Sequence, residues 1–283
     1  MIAITGATGQ LGQLVVEQLL SRTAAENIVA VVRDAAKASA LKDQGVQVRV
    51  ANYDDPQSLT QAFSGVEKLL LVSSSEVGKR TAQHKAVIDA AKTAGISLIA
   101  YTSLLRAETS PMLLAQEHKA TEHLLKAANL PYVLLRNGWY TENHTASLGA
   151  SLAHGALLGA ARDGRFATAP RKDYAEAAAI VLTTSGHENK TYELAGSTSH
   201  SYFELATEVS RLSGKPMTYN NLDQSAYETA LKGFGLPEAL AHILADSDAK
   251  AAEGALDLPP GDLGKLLGRA TTPWQVTVAA ALR

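Results

Sequence analysis

The run Ile2-Ala3-Ile4-Thr5-Gly6-Ala7-Thr8-Gly9-Gln10-Leu11-Gly12 constrains this fold more than any other stretch, because three evenly spaced glycines separate an apolar strand from an apolar helix. Gly6 permits the tight strand-to-helix turn, Gly9 leaves the backbone bare for close approach, and Gly12 lets the helix pack near the sheet. Leu11, Leu14, Val15, Gln18 and Leu19 then recur at helical spacing. The first turn of such a helix offers unpaired N–H groups and the positive end of a dipole, which suits phosphate. The spacing is G-x-x-G-x-x-G rather than the G-x-G-x-x-G fingerprint, and glycine turns are common. Context decides: a strand before and an amphipathic helix after are what a dinucleotide-binding turn requires.

Strand-like runs follow at Ile28 to Val32, Val46 to Ala51, Lys68 to Val72, Leu98 to Tyr101 and Tyr132 to Leu135, each separated by a helix-length amphipathic stretch. This βα alternation predicts an α/β fold, a doubly wound parallel Rossmann sheet over residues 1–136 with its ligand outside the carboxyl ends of the strands. Asp55-Pro56 reads as a helix start, and Gly45, Gly65 and Gly95 as helix ends. Beyond residue 136 the rhythm loosens. Expected there are a helix from Glu142 to His154, a glycine-rich stretch with Gly155, Gly159 and Gly164, and a helix from Asp173 to Thr184. A strand from Thr191 to Ala195, a helix from Tyr202 to Leu212, a strand from Met217 to Asn221 and further helices interrupted by Pro259-Pro260-Gly261 follow. We read residues 137–283 as a smaller C-terminal α/β substrate domain, with about 171–195 returning to the main sheet.

Composition narrows the function classes. A formal net charge of -2, with no basic run longer than two residues, gives no electrostatic footprint for nucleic acid or an anionic membrane. No cysteine is present, which excludes disulfides, thiolate metal sites and a cysteine nucleophile. Redox chemistry would then rest on a bound cofactor. The first strand starts at residue 2 and apolar runs such as Leu69-Leu70-Leu71-Val72 are short, so no signal peptide or membrane span is expected and the cytoplasm is the expected location. A homodimer is left open.

Strand two ends Val31-Val32-Arg33-Asp34. Arg33 stands where a guanidinium can clamp a 2′-phosphate, a contact worth about 1.5–3 kcal/mol or ten- to a hundredfold in preference, which favours NADP over NAD. Two alternatives stay open: a solvated strand-end Arg33, or Asp34 accepting from the ribose so that NAD binds equally well. Asn52, Tyr53 and Asp54 after strand three suit an adenine edge, and Ser73, Ser74 and Ser75 after strand four offer hydroxyls and amides, although such residues favour loops in any case.

The Thr5 to Gly12 start, Val32-Arg33 and the ending Leu135-Arg136-Asn137-Gly138-Trp139-Tyr140 resemble the NmrA-like branch of the atypical short-chain dehydrogenases. Within it, Lys68 to Gly78 and Ala245-Asp246-Ser247-Asp248 resemble the bacterial NAD(P)H:quinone oxidoreductases, and the similarity runs from end to end. Triphenylmethane-dye reductases resemble the glycine loop but differ after strand four and at Trp139. The resemblance implies NADPH held along Gly6, Ala7, Thr8, Gly9, Gln10 and Leu11, at Arg33, at Ser73, Ser74 and Ser75, and along Asn137, Gly138, Trp139, Tyr140, Thr141 and Glu142. It also implies a quinone stacked near the nicotinamide. The branch further includes NADP(H)-sensing regulators that are not catalysts.

Ordinary short-chain dehydrogenases use Tyr-x-x-x-Lys, the Lys lowering the Tyr pKa so that it protonates the nascent alkoxide. None of the nine tyrosines has Lys four residues on; Tyr101 is followed by Leu105, Tyr132 by Arg136 and Tyr140 by His144. A quinone needs no such acid, because its reduced anion takes a proton later from water, so proximity and orientation suffice. No catalytic residue is assigned. Trp139 and Tyr140 can supply a stacking wall, and Asn137 and Asn143 can hydrogen-bond a quinone oxygen; the alternative for the two aromatics is packing. His118 and Glu122, four apart on one helix, are favoured as structural rather than acid/base, and no third residue makes them a metal site. Arg171 precedes a helix and can reach a ligand, whereas Asp173 is expected to cap that helix. No G-x-S-x-G elbow supports a hydrolase.

Overall fold

A computed structural model describes residues 1–283. In chain order its strands are β1 (Ile2–Thr5), β2 (Ile28–Val32), β3 (Gln47–Val50), β4 (Lys68–Leu71), β5 (Leu98–Leu104), β6 (Tyr132–Asn137), β7 (Ala156–Gly159), β8 (Arg165–Phe166), β9 (Lys190–Leu194), β10 (His200–Ser201) and β11 (Thr218–Asn221). Its helices are α1 (Gln10–Leu20), α2 (Ser39–Asp43), α3 (Pro56–Ala62), α4 (Arg80–Thr93), α5 (Leu113–Ala127), α6 (Thr141–Thr145), α7 (Leu148–His154), α8 (Arg171–Thr183), α9 (Tyr202–Ser213), α10 (Gln224–Gly233), α11 (Glu238–Ala251), α12 (Asp262–Leu267) and α13 (Trp274–Ala281).

Seven strands form one sheet in the order β3-β2-β1-β4-β5-β6-β9. The registers β1 with β2 and β4, β2 with β3, β4 with β5, and β5 with β6 are all parallel. Both neighbours of β1 lie on opposite sides of the point where the winding reverses, so the loops leaving β1, β2 and β4 share the carboxyl edge of the sheet. The inner strands β2, β4 and β5 are buried on both faces and read as nearly continuous apolar runs, as parallel strands under two helix layers should, whereas the edge strands β3 and β9 are partly exposed. On one face Ala3, Val29, Val31, Leu69, Leu71, Ile99, Tyr101 and Leu134 pack with Leu59, Phe63, Val87, Ile88 and Leu125 from α3, α4 and α5. The alternate residues Ile4, Ala30, Leu70, Ala100, Val133 and Leu135 are equally buried. Helix α1 packs with α8.

Local chemistry explains the boundaries. Asp55 accepts from the Gln57 and Ser58 amides ahead of Pro56, so α3 starts at a capped proline. Gly45, Gly65 and Gly95 have positive φ where α2, α3 and α4 give way to strands.

The chain divides into two compact units. The first comprises 1–107, 117–137 and 171–192, and the second 108–116, 138–170 and 193–283. In the second unit β7 pairs in parallel with β11, and β8 pairs antiparallel with β10. The helix expected from Glu142 to His154 is broken into α6 and α7. Only Thr141, His144 and Leu148 along its first two turns are buried, too sparse an apolar stripe for one continuous helix, and the chain turns at Ala146 and Ser147. The glycine-rich stretch is tightly packed at two of its glycines. A Cβ on Gly159 would lie 2.8 Å from the Tyr202 ring, and one on Gly164 would lie 2.5 Å from the Ala251 carbonyl oxygen. Asp173 sits inside the first turn of α8, buried, rather than at its cap.

Candidate functional site

The glycine turn behaves as a phosphate cradle should. Gly6 has φ +59°, and the Gly9 amide donates back to the Gly6 carbonyl at 2.9 Å, closing the turn. The first amide with an acceptor one turn back is Gln13, which donates to Gly9 at 3.0 Å. Gly9 caps α1 without any side-chain hydrogen bond, so the amides of Gln10, Leu11 and Gly12 at the positive end of the helix are left for an anion. A Cβ on Gly12 would stand 2.3 Å from the Gly6 carbonyl oxygen and 2.8 Å from the Ala7 Cα, so only glycine fits. The turn therefore fits a pyrophosphate. The side chains of Ala7 and Leu11 are buried, while Gly6, Gly9 and Gln10 are exposed and Thr8 is half-buried.

Arg33 follows β2 and is exposed; its Nη1 donates to Glu76 Oε1 at 2.9 Å. Asp34 instead accepts from the Ala36 amide at 2.9 Å and caps a short 3-10 turn. Asn52 is used locally in the same way, accepting from the Asp54 amide at 3.1 Å. Tyr53 packs against the sheet core, and burial pushes its pKa up.

The serine loop after β4 is held from beneath. The Ser73 amide donates to Thr102 Oγ1 at 2.8 Å. Ser74 is taken up on three sides by α4: its amide donates to His84 Nε2 at 3.0 Å, its hydroxyl donates to Gln83, and its carbonyl accepts from Arg80 Nε at 2.7 Å. Glu117 of α5 accepts from the Gly78 amide at 3.1 Å and lies 3.7 Å from Arg80. Ser74 thus shapes the loop, and Ser75, which is exposed, is the member that faces outward. Sequence reasoning missed this clamp. Its signal was present as Arg80, Gln83 and His84 at i, i+3 and i+4, one helix face.

His118 and Glu122 do not meet as a pair. Glu122, whose carboxylate is fully buried, accepts from Arg136 Nε at 2.9 Å and Nη2 at 2.6 Å and from the Ser103 hydroxyl at 2.6 Å, a bidentate ion pair with a third bond beside it. His118 Nδ1 lies 2.8 Å from the Tyr101 hydroxyl. Burial holds His118 well below the usual histidine range and His84 down to about 3, and Arg80 adds to both. Burial likewise raises Tyr101. Neither the two histidines nor the tyrosine is a ready proton donor near neutrality.

At the end of β6, Asn137 is buried and its carbonyl accepts from the Leu105 amide at 3.0 Å. In the second unit Gly138 is buried and donates to Leu194 at 2.9 Å, and Trp139 is buried as well, so packing holds most of its ring. Tyr140 is half-buried and bridges Ala169, Thr141 is buried against Thr168 at 3.0 Å, Glu142 is half-buried, and Asn143 is exposed. Arg171 opens α8 in the first unit and is half-buried.

The second unit also encloses titratable groups. His144 Nδ1 lies 3.2 Å from His200 Nε2, and the His200 ring stacks on Trp274 at 4.3 Å. Burial lowers His144 well below the usual range and His200 to about 3. Asp248 accepts from the Ala160 amide at 3.0 Å and the Tyr202 hydroxyl at 3.1 Å; its own burial pushes it up to about 7.

The profile of an NAD(P)H-binding family matches residues 6–185, from the glycine turn to just past α8. The chain belongs to that family. Quinone oxidoreductase 2 of Escherichia coli is 55% identical over 272 residues, covering 96% of this chain and 95% of that protein. The crystal structure of the E. coli NADPH-dependent quinone oxidoreductase complexed with NADPH superposes with a TM-score of 0.97 at 53% identity, covering 100% of both chains. The Citrobacter triphenylmethane reductase complexed with NADP(H) superposes with a TM-score of 0.94 at 41% identity, covering 99% of this chain and 100% of that one. The family member described here therefore has the expected doubly wound fold, and its resemblance to the quinone oxidoreductases is borne out along the whole chain. No helix is long and apolar enough to cross a membrane.

Proposed function

We propose that this protein is an NADPH-dependent quinone reductase. The observation that carries the reading is the likeness to quinone oxidoreductase 2 across 96% of the chain. The unit that holds the glycine turn supports it with its own chemistry. The amides of Gln10 to Gly12 suit the pyrophosphate, and Arg33, whose neighbour Asp34 is spent on a local cap, suits a 2′-phosphate. Residues 6–11, Arg33, the loop Ser73 to Ser75, and Asn137 to Glu142 are our cofactor assignment. Asn137, Trp139, Tyr140 and Asn143 are our quinone assignment, with Tyr140 and Asn143 the more accessible of the four.

NADPH, when bound, supplies the hydride. What the protein withholds defines the acceptor: Tyr101 is buried with its hydroxyl on His118, and Glu122 is held between Arg136 and Ser103. Burial raises the Tyr101 pKa, which is the reverse of the lowered pKa an acid for an alkoxide needs, and this suits an acceptor that receives two electrons and a hydrogen nucleus as hydride and then takes its remaining proton from water. A quinone does this, because its reduced anion is aromatic and weakly basic, whereas an alkoxide is not. The protein's work is then binding and orientation.

Mixing the full chain with NADPH and a simple benzoquinone and following loss of the nicotinamide absorbance tests the reading. Quinone-dependent oxidation is expected; nucleotide binding without it would leave a non-catalytic NADP(H) sensor. A triphenylmethane dye as acceptor forms a second arm, and faster turnover of the dye than of any quinone would move the assignment. The proposal includes a cytoplasmic location, which cell fractionation checks.

A further inference from the structure

Glu76 stands at the carboxyl edge of the sheet without a part in the reading above. It follows β4, Arg33 follows β2, and β1 lies between those strands, so their 2.9 Å ion pair spans the strand end from which the glycine turn leaves. Glu76 is not a loose surface side chain. Its amide donates to the Ser74 hydroxyl at 3.2 Å and its carbonyl accepts from the Lys79 amide at 3.1 Å. Ser74 is in turn fixed by Arg80, Gln83 and His84. Lys79 Nζ lies 3.6 Å from the second carboxylate oxygen, leaving one carboxylate between two cations. The side chains of Arg33 and Glu76 are 73% and 37% exposed, so the pair adds little to folding. Its effect falls on whatever else binds Arg33.

We propose that Glu76 is an internal competitor for Arg33 that moderates the protein's preference for a 2′-phosphorylated nucleotide. The inference rests on the reading that Arg33 receives the 2′-phosphate. With Nη1 engaged by Glu76, the phosphate is left the Nη2 and Nε edge of the same guanidinium. Carboxylate and phosphate then sit about 6 Å apart, where like charges at an effective dielectric of 20–80 and ordinary salt weaken binding about three- to tenfold. A nucleotide with a free 2′-hydroxyl meets no such charge. Glu76 therefore narrows the gap between the two nucleotides while holding Arg33 in place.

Glu76→Gln removes the charge and keeps an oxygen that accepts from Arg33. Fluorescence titration of the full chain at fixed ionic strength should give an NADPH Kd about three- to tenfold lower than wild type and an NADH Kd within about twofold of it. An unchanged or weaker NADPH Kd, or equal tightening of NADH, overturns the proposal. Arg33→Ala alone reports on the underlying reading: a selective loss of NADPH supports it, and equal losses of both nucleotides remove it whatever Glu76→Gln does.

Discussion

Gly9 and Gly12 stand three residues apart in one turn, yet alanine at each should do a different kind of damage. At Gly12 a methyl would stand 2.3, 2.8 and 2.9 Å from three backbone atoms of Gly6 and Ala7. Backbone cannot rotate away, so α1 must lift by roughly 1 Å, at an overpacking cost of about 3 kcal/mol, while alanine recovers about 1 kcal/mol of helix propensity. The net loss of about 2 kcal/mol corresponds to a fall in Tm of about 4–8 °C for a chain of this size. At Gly9 the nearest atom is the Gly6 oxygen at 3.2 Å, and φ -78° with ψ 167° is open to any residue. Gly9→Ala should therefore melt within about 2 °C of wild type, since it stays inside about 0.5 kcal/mol. It should still weaken NADPH at least tenfold, because its methyl enters the path of the phosphates; a tenfold loss is about 1.4 kcal/mol. Thermal melting of the free protein and NADPH titration on the same samples separate the two. A Gly9→Ala protein with wild-type affinity would show that the pyrophosphate does not cross this turn, and an unshifted Gly12→Ala melt would show that the close approach is not structural.

Glu122→Ala strands a largely buried Arg136 and should cost about 3–5 kcal/mol, read as a lower urea midpoint, while Glu122→Gln should retain kcat per folded molecule because no proton is drawn from this residue. Acid should destabilise the protein through its buried histidines: His84 and His200 stay neutral down to about 3, the unfolded chain takes up protons below about 6.5, and stability is lost as pH falls through that window. Asp248 acts in the opposite sense, since its pKa of about 7 lies above the unfolded value and its contribution is lost as pH rises from about 4 to 7. Asp248→Asn should therefore steepen the acid loss by about 1.4 kcal/mol per pH unit between about 4 and 6.5, measured by urea unfolding across that range; an unchanged slope would mean Asp248 is already ionised when folded. With proton delivery left to water, kcat for a benzoquinone should vary less than about twofold between pH 6 and 8, and a sigmoidal loss on either side would reveal an enzyme acid.

What was legible in the chain was what repeats or stands alone. The sheet could be read because its buried parallel strands are apolar runs, three of them entered just after Gly65, Gly95 or Pro131, and the phosphate turn because three glycines stand between a strand and a helix, where a ligand can approach closely. Arg33 was legible as a strand-end cation. Glu76 as its partner was not, because the bond joins residues 43 apart in sequence through the order of strands, which periodicity does not reveal. The clamp on Ser74 failed for a related reason: serines in a loop look available until the helix beneath claims their donors and acceptors. Past residue 136 many of the elements shrink, with strands of two or four residues and helices of five or seven, too short for a period to register. The packing role of Gly159 and Gly164 was not legible, because the residues that crowd them, Tyr202 and Ala251, lie far along the chain.

The order in which the two units share the polypeptide limits how this protein can have been assembled or can be taken apart. The first unit draws on three separate stretches and the second on three others, so neither is a single continuous piece of chain. A gene fragment stopping at residue 136 would carry the glycine turn and Arg33 but lack α8, the helix that packs with α1. A ribosome must likewise translate beyond residue 183 before that helix is complete. Exchange of one unit for its counterpart from a relative would need several simultaneous crossovers.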